Sequence, residues 1–328
     1  MAWRKICLGW LVCLTSSEAQ AHVDWFVAGD TEPLSNYSVT DPVFLACCVA
    51  ATFMVMFFVW LDGKLPTPNI VQSKLRHDFM EILRVFTGMS FLLTAYEGAL
   101  IAPHLVAGGS FGLTLVIMQA VIGIMLIANR WIKTAAVMML PLYAGVATQF
   151  GVFIALEYTL VIGIAFFLLP NAIEDERWRD LLKPYSVDIL RIGMGISLVA
   201  LAVGEKLAPS ALGQVFLPQY QWNFMQSLGF TFFDDRLFVL IAGMVEAVIG
   251  IVLLLGTTVR LAVLTMSVMM AISNVVFILQ GDNEAALVEF IGHMPIIGAA
   301  LLLLLLGYGQ RLKITDALAL WRSRRQGM

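Results

Sequence analysis

The chain has 328 residues, of which 60% are hydrophobic and 13% are charged, and its formal net charge is -3. A soluble domain has about a quarter of its residues charged, so this composition excludes a soluble globular protein. It predicts an integral membrane protein that has the lipid bilayer as its main surroundings. Nucleic acid is not expected as a partner, because the small net charge leaves no strongly basic surface.

The N-terminus has the pattern of a secretory signal. Arg4 and Lys5 precede the apolar stretch "ICLGWLVCL", which is shorter than the ~20 residues of a spanning helix, and "AQA" ends at Ala21. We expect a signal peptide over 1–21 and an exported segment over 22–42, with an uncleaved anchor as the alternative. The mature N-terminus would be His22, whose amine and imidazole could bind copper. An ordinary residue of the exported segment is the favoured interpretation, so no metal site is expected.

Apolar windows predict nine spans after the signal, of which the fourth and fifth nearly run together. They lie at 43–61, 82–101, 111–128, 134–150, 152–170, 189–207, 236–256, 260–280 and 287–307. Basic residues concentrate on the cytoplasmic side of a membrane protein, and an exported N-terminus leaves only Lys206 and Arg236 on the outer side. The sequence therefore predicts a multi-pass protein of a Gram-negative-type inner membrane, with a periplasmic N-terminus and a cytoplasmic C-terminus.

The chain also repeats itself. "ILRVFTGMSFLL" from Ile82 matches "ILRIGMGISLVA" from Ile189, and "QAVIGIMLIANR" from Gln119 matches "EAVIGIVLLLGT" from Glu246. A weaker match joins "LEYTLVIGI" to "VEFIGHMPIIG" near the end of each unit. Four spans per unit is an even number, so both units run in the same direction through the membrane.

These features predict an all-α integral membrane protein with two tandem four-helix bundles in parallel orientation and one extra N-terminal transmembrane helix. The extra helix is 43–61, the first unit is 82–170 and the second unit is 189–307. Cytoplasmic linkers are expected over 62–81 and 171–188, and a cytoplasmic tail over 308–328.

Ionisable side chains in hydrocarbon are costly and are functional candidates by default. The candidates are predicted to lie in the outer half of each unit: Glu97, Gln119 and Glu157 in the first, and Glu205, Lys206, Glu246, Glu289 and His293 in the second. Adjacent residues on an α-helix point about 100° apart, so Glu205 and Lys206 are expected to diverge, with one facing the bundle and the other reaching the outer surface. The second unit would then hold a carboxylate cluster that relays protons or holds a polar ligand. Interhelical hydrogen bonds that fix the bundle are the structural alternative.

The segment between the sixth and seventh spans is rich in aromatic residues, among them Trp222 and Phe224, and contains no basic residue. An aromatic belt at the membrane interface explains most of this composition. The alternative is a lid over the carboxylate cluster, which would admit a flat hydrophobic ligand such as a quinone.

The stretches "ILRIGMGISLVALAVGEKLAPS", "MVEAVIGIVLLLGTTVRLAVL" and "LVEF" resemble the DoxX/DoxD family of four-span membrane proteins. The resemblance covers 189–307 well and 82–170 as a degenerate copy. It puts weight on one set of residues: Arg191, Gly204, Lys206, Glu246, Arg260 and Glu289. The chain departs from the pattern in having two units, a signal, an extra span and "EGALIAP" where the family has G-x-K-L.

Some members of that family are similar to the membrane subunit of thiosulfate:quinone oxidoreductase, and others are associated with thiol-stress complexes. The resemblance therefore implies the membrane component of a quinone-linked redox system. The cofactor itself is left open, with quinone and a soluble periplasmic redox partner as the candidates. The outer-half carboxylates would relay protons. A transporter of a small solute and a non-catalytic scaffold or assembly factor are the alternatives.

Overall fold

A computed structural model describes residues 37–65, 73–207, 216–217, 220, 222–306 and 312–317. The predicted signal over 1–21, His22 with most of the exported segment, and the end of the tail lie outside the described residues. The described part of the chain is helical apart from turns and one isolated bridge between Ala99 and Val106.

Twelve α-helices are described. They are α1 Pro42–Asp62, α2 Ser73–Tyr96, α3 Gly109–Ile127, α4 Ile132–Phe150, α5 Val152–Glu157, α6 Thr159–Ala172, α7 Glu176–Leu182, α8 Ser186–Leu201, α9 Phe224–Ser227, α10 Asp235–Leu255, α11 Val259–Leu279 and α12 Asn283–Leu306. A π-helical turn, Ala202–Leu207, continues α8. Seven helical stretches of the described residues are long and apolar enough to cross a membrane: α1, α2, α3, the continuous stretch Glu176–Leu207 that contains α7 and α8, α10, α11 and α12. The protein is therefore a multi-pass membrane protein.

Seven of the nine predicted spans are confirmed in this way. The helix α4 occupies the predicted span 134–150 but is not among the seven, and the predicted span 152–170 is two shorter helices. The break falls at Tyr158, whose backbone angles of φ -109° and ψ 18° end α5 and begin α6. Whether α4, α5 and α6 cross the bilayer beside the others stays a prediction.

The second predicted span, 82–101, was wrong at its C-terminal end. The helix α2 stops at Tyr96, and Gly98 follows with a positive φ of 74°. A glycine in the left-handed region is a common helix terminator. The backbone then folds back, so that Ala107 N donates to Gly98 O at 3.0 Å. The same helix begins at Ser73, inside the stretch 62–81 that was predicted to be a linker.

The repeated sequences make the same contacts at matching positions. Arg84 of α2 donates to the carbonyl oxygen of Leu126 at the end of α3, and Arg191 of α8 donates to that of Leu253 near the end of α10. Each arginine satisfies a carbonyl that a helix end leaves without an intrahelical partner.

The repeated glycines also match. A Cβ on Gly88 would lie 2.9 Å from Gly123 O, and a Cβ on Gly195 would lie 2.8 Å from Gly250 O. Only glycine permits these approaches, so α2 crosses α3 as closely as α8 crosses α10.

The helices of the two repeats interlock. In order around the molecule, α2, α3, α4, α6, α8, α10, α11 and α12 each pack against the next, and α12 packs back against α2. The helix α1 lies outside this ring against α10, and none of its residues is buried. Because α6 packs against α8 and α12 against α2, contacts between the repeats are as extensive as those within them. A division into two bundles therefore stays a prediction.

Candidate functional site

An ionic group lies where α8 ends. Lys206 Nζ donates to Glu205 Oε2 at 2.7 Å and to Glu246 Oε2 at 2.8 Å, and the Glu205 side chain is 1% exposed. The expectation that Glu205 and Lys206 diverge was therefore wrong. Residues 202–207 form a π-helical turn, which is wider than an α-helical turn, so the side chains of two adjacent residues reach the same point. Lys206 turns toward the two carboxylates, and 22% of its side chain stays exposed.

A glycine of α10 makes room for this lysine. A Cβ on Gly243 would lie 2.7 Å from Lys206 Cβ, so the stem of Lys206 lies directly against the helix. Glu246 follows three residues later on the same face of α10, and its carboxylate meets the ammonium group. Gly243 is a site residue that the sequence reasoning missed, although its spacing from Glu246 was visible.

A second polar group lies on α11 and α12. Ser273 Oγ donates to Glu289 Oε1 at 2.5 Å, and His293 Nδ1 lies 3.5 Å from the same oxygen. Glu289 and His293 are four residues apart, as predicted, and share one face of α12. Both are buried. Ser273 was not predicted, because a single serine in an apolar helix carries no distinguishing pattern.

The two polar groups line one cavity of about 220 Å³. Lys206, Glu246, Glu289 and His293 all contribute to its wall, and His293 lies within electrostatic range of Glu205. The structure therefore brings together the five ionisable residues that were predicted for the second unit.

A larger cavity of about 610 Å³ adjoins the first and shares Lys206, Trp222 and Glu289 with it. Its wall is almost entirely apolar. The segment between α8 and α10 contributes Phe216, Leu217, Trp222, Phe224, Met225 and Phe233, and the remaining apolar residues come from α10 and α11. Ligand cavities of about 300–1,000 Å³ with few polar groups are typical of small-molecule sites.

The described part of the aromatic segment is folded against α11. The rings of Tyr220 and Phe216 lie 5.4 Å and 6.2 Å from that of Phe277, centroid to centroid. Gln280 Nε2 donates to Tyr220 O at 2.7 Å and fixes the segment there. These residues form one wall of the large cavity, which is the position expected of a lid.

Trp222 offers an unused hydrogen-bond donor at the cavity wall. Its Nε1 is buried and has no acceptor among the described residues. A buried N–H group without a partner is costly, so this donor is a place where a ligand oxygen would be stabilised.

The matching position of the first repeat has a different role. Gln119 is wholly buried, and its Nε2 donates to Phe91 O, Thr94 Oγ1 and Ala99 O at 3.1, 2.8 and 3.2 Å. Its Oε1 accepts from Ile101 N at 2.7 Å. Ile101 has a positive φ of 59°, which is unfavourable for a β-branched residue. Gln119 therefore holds a turn in place and leaves no polar atom for a ligand.

Glu97 and Glu157 do not join the cluster of the second unit. Glu97 is exposed just beyond the end of α2. Glu157 is 4% exposed and lies against Gly204, whose Cβ position is 2.8 Å from Glu157 Oε1. It lines a separate small cavity of about 50 Å³.

Two arginines to which the resemblance gave weight are structural. Arg191 is wholly buried and donates to Leu254 O at 3.1 Å and to Asp188 Oδ1 at 3.2 Å. Arg260 donates to Leu305 O at 3.3 Å. Both stabilise helix ends and lie outside the walls of the two cavities.

Within the described ranges, no group of three or more His, Cys, Asp or Glu side chains could hold a metal ion. Comparison with known proteins found no matching family model, no matching curated protein and no matching solved structure. Membership of the DoxX/DoxD family therefore stays a prediction from the residues quoted above.

Proposed function

We propose that this protein is the membrane component of a quinone-linked redox system and that the large cavity binds the quinone. One observation carries the proposal. An apolar, partly aromatic cavity of about 610 Å³ ends at the ionic group of Glu205 and Lys206 and at Glu289. A quinone likewise combines an apolar part with a polar part. Its flat ring and apolar tail match the cavity wall, and its two carbonyl oxygens match the hydrogen-bond donors.

The donors are two different groups. Trp222 Nε1 would donate to one carbonyl oxygen, and Lys206, which lines both cavities, would provide its ammonium group to the other. Reduction of a quinone to a quinol takes two electrons and two protons. The electrons would come from a soluble periplasmic redox partner, and the two protons would pass one at a time from periplasmic water through the polar cluster of this chain.

The polar cluster is suited to proton exchange. Glu205, Glu246 and Glu289 share one lysine and one histidine, so the carboxyl groups outnumber the basic groups. A cluster of this composition can take up or release one proton without gathering charge of one sign, which is costly in a low-dielectric site. His293 and Glu289 lie beside the cavity and complete the relay.

The same proposal places the protein in the inner membrane, with the cluster toward the periplasm and the tail in the cytoplasm. It includes the signal over 1–21 and the origin of the chain in two tandem DoxX-like units. The matched arginine and glycine contacts of the two repeats support the duplication.

Quinone binding tests the proposal directly. The purified protein in lipid nanodiscs is titrated with decylubiquinone and with a menaquinone analogue, and quenching of tryptophan fluorescence reports binding. We expect saturable binding that Trp222→Phe weakens by about three- to tenfold, which is the contribution of one hydrogen bond. Glu97→Gln is the control, because this carboxylate is exposed and lies outside both cavities.

Proton exchange is tested separately. Glu246→Gln and Glu289→Gln are expected to leave binding largely intact and to slow quinone reduction by a supplied donor. Absence of saturable quinone binding to the folded wild-type protein would overturn the proposal. Uptake of a solute into proteoliposomes would favour a transporter in its place.

A further inference from the structure

We infer that the large cavity is open sideways to the bilayer, through a gap between α10 and α11, and that its ligand arrives dissolved in the lipid. This inference deepens the proposed function by naming the route and the solubility class of the ligand. It rests on how the cavity wall meets the outer surface and on a comparison of the two repeats.

Residues at the gap belong to the cavity wall and to the outer surface at once. Val245 of α10 is 38% exposed, and Met269 and Ile272 of α11 are 42% and 49% exposed. All three lie in the middle of helices that are long and apolar enough to span a membrane. On this inference, part of their exposed area faces hydrocarbon, and the cavity behind them is continuous with it.

At the matching place in the first repeat, the described residues of α3 and α4 close the space. The two "AVIGI" stretches set a register that pairs Ala242 with Leu115 and Ile272 with Gly145. Leu115 is 4% exposed and fits into the space left by Gly145, where a Cβ would lie 2.5 Å from Leu115 Cδ2. In the second repeat the order is reversed, because the small residue, Ala242, is on α10 and the large residue, Ile272, is on α11. Ala242 leaves the interior unfilled, and Ile272 stands at the rim.

Two further pairs agree. Leu142 and Val146 of α4 are wholly buried. Their counterparts in α11 are Met269, which is 42% exposed, and Ser273, which lines the cavity. The helices α10 and α11 also pack less closely against each other than α3 and α4 do. The first repeat is therefore closely packed at the place where the second repeat has a cavity.

The chemistry of the gap selects what passes. Apart from Ser273, the residues that α10 and α11 contribute to the large cavity are apolar. The aromatic segment covers the cavity at the end of α11, where Phe216 and Trp222 pack against Phe277. A charged or strongly hydrated solute would lose its water at the gap without compensation, whereas a lipid-soluble molecule loses nothing.

A lipid-borne quencher tests the opening without any quinone. The protein is placed in nanodiscs of phosphatidylcholine brominated at mid-chain, and the fluorescence of Trp222 is obtained as the difference between wild type and Trp222→Phe. An open gap lets acyl chains reach and quench Trp222. We expect this quenching to be lost in Ile272→Phe and in Ala242→Leu. The second substitution introduces at position 242 the leucine that the first repeat has at the matching position, Leu115.

The control is Val275→Phe, a substitution of similar size on the exposed face of α11 at a residue outside the cavity wall. It should leave the quenching unchanged. Quenching of Trp222 that persists in both Ile272→Phe and Ala242→Leu would overturn the inference, as would a wild-type Trp222 that brominated lipid does not quench. Circular dichroism of each variant verifies that it is folded.

Quinone kinetics then separate this inference from the proposed function. In stopped-flow measurements, association of a long-tailed quinone should be about tenfold slower in Ile272→Phe than in wild type, and unchanged in Val275→Phe. Binding at the wild-type rate in Ile272→Phe refutes the lateral route and leaves quinone binding intact. Quenching by brominated lipid without quinone binding refutes the proposed function and leaves the lateral opening intact.

Discussion

Exchanging the side chains at the two matching positions, Gln119→Glu and Glu246→Gln, is expected to have very unequal effects. At Gln119 the amide nitrogen faces two carbonyl oxygens, Phe91 O at 3.1 Å and Ala99 O at 3.2 Å. A glutamate would put an oxygen there, so both hydrogen bonds are lost and both acceptors are left buried. At Glu246 the partner is Lys206 Nζ at 2.8 Å, and a glutamine can still accept that hydrogen bond.

The magnitudes follow from these contacts. Each buried group left unsatisfied costs about 1–3 kcal/mol, and burial of a new charge adds to it. Gln119→Glu should therefore lower the free energy of unfolding by about 3–5 kcal/mol. Glu246→Gln replaces a charge-assisted bond of about 1.5–3 kcal/mol by a bond of about 0.5–1.5 kcal/mol, so its cost is about 1 kcal/mol. The partial exposure of Glu246, 20% of its side chain, lowers that cost further.

The assay is unfolding in mixed micelles by titration with dodecyl sulfate, followed by far-ultraviolet circular dichroism. Gln149→Glu is the matched control for the first substitution, because Gln149 donates a single bond at the end of α4, to Gly108 O at 2.8 Å. It should cost less than about 1 kcal/mol. Equal losses for Gln119→Glu and Glu246→Gln would refute the structural role that we assign to Gln119.

Three further predictions concern single residues. Lys206→Met leaves Glu205, 1% exposed, without its cation and should lower the free energy of unfolding by about 3 kcal/mol, whereas Lys206→Arg should cost less; equal losses in the micelle assay would argue against the ion pair. Burial lowers the pKa of His104, in the turn after α2, from 6.5 to about 4. The free energy of unfolding should therefore be highest above about pH 6.5 and should fall by about 2–3 kcal/mol as the pH drops toward 4, because the unfolded chain binds the proton first. The variant His104→Phe should flatten that dependence, and an unaltered profile would contradict burial of the neutral ring. Gly195→Ala places a Cβ 2.8 Å from Gly250 O and should lower the free energy of unfolding by about 1–3 kcal/mol, because α8 is displaced from α10. Wild-type stability of this variant would contradict the close contact between the two helices.

The sequence predicted the composition of the site better than its geometry. The spacing of four residues correctly predicted that Glu289 and His293 share one face of a helix. The repeat indicated the second unit as the site, because Glu246 is there at the position that Gln119 has in the first. The turn that joins Glu205 to Lys206 was missed. A π-helical turn differs from an α-helix by one extra residue in the ring of each hydrogen bond, and no residue type requires it.

The fold shows the same limit. Long apolar helices such as α10 were found with nearly correct ends, because length and hydropathy alone decide them. The break at Tyr158 and the fold-back after Tyr96 depend on contacts with residues distant in sequence. The turn after α2 is held by Gln119, which lies in the next helix. The cavity was not foreseeable either, because it results from residues that are small or displaced relative to their counterparts in the other repeat.

The two helices beside the opening, α10 and α11, are attached to the rest of the protein to different degrees. Arg236 at its start pairs with Asp41 at 3.5 Å and lies over the ring of Tyr37, and Arg191 holds its far end. The helix α1 packs against its outer face, and Asp62 at the end of α1 accepts from Thr258 N, at the start of α11, at 2.8 Å. By contrast, only 22% of the span of α11 is buried, against 44% for α10. If a ligand enters between these two helices as inferred above, we expect α11 to be displaced more than α10, because less of its span is buried.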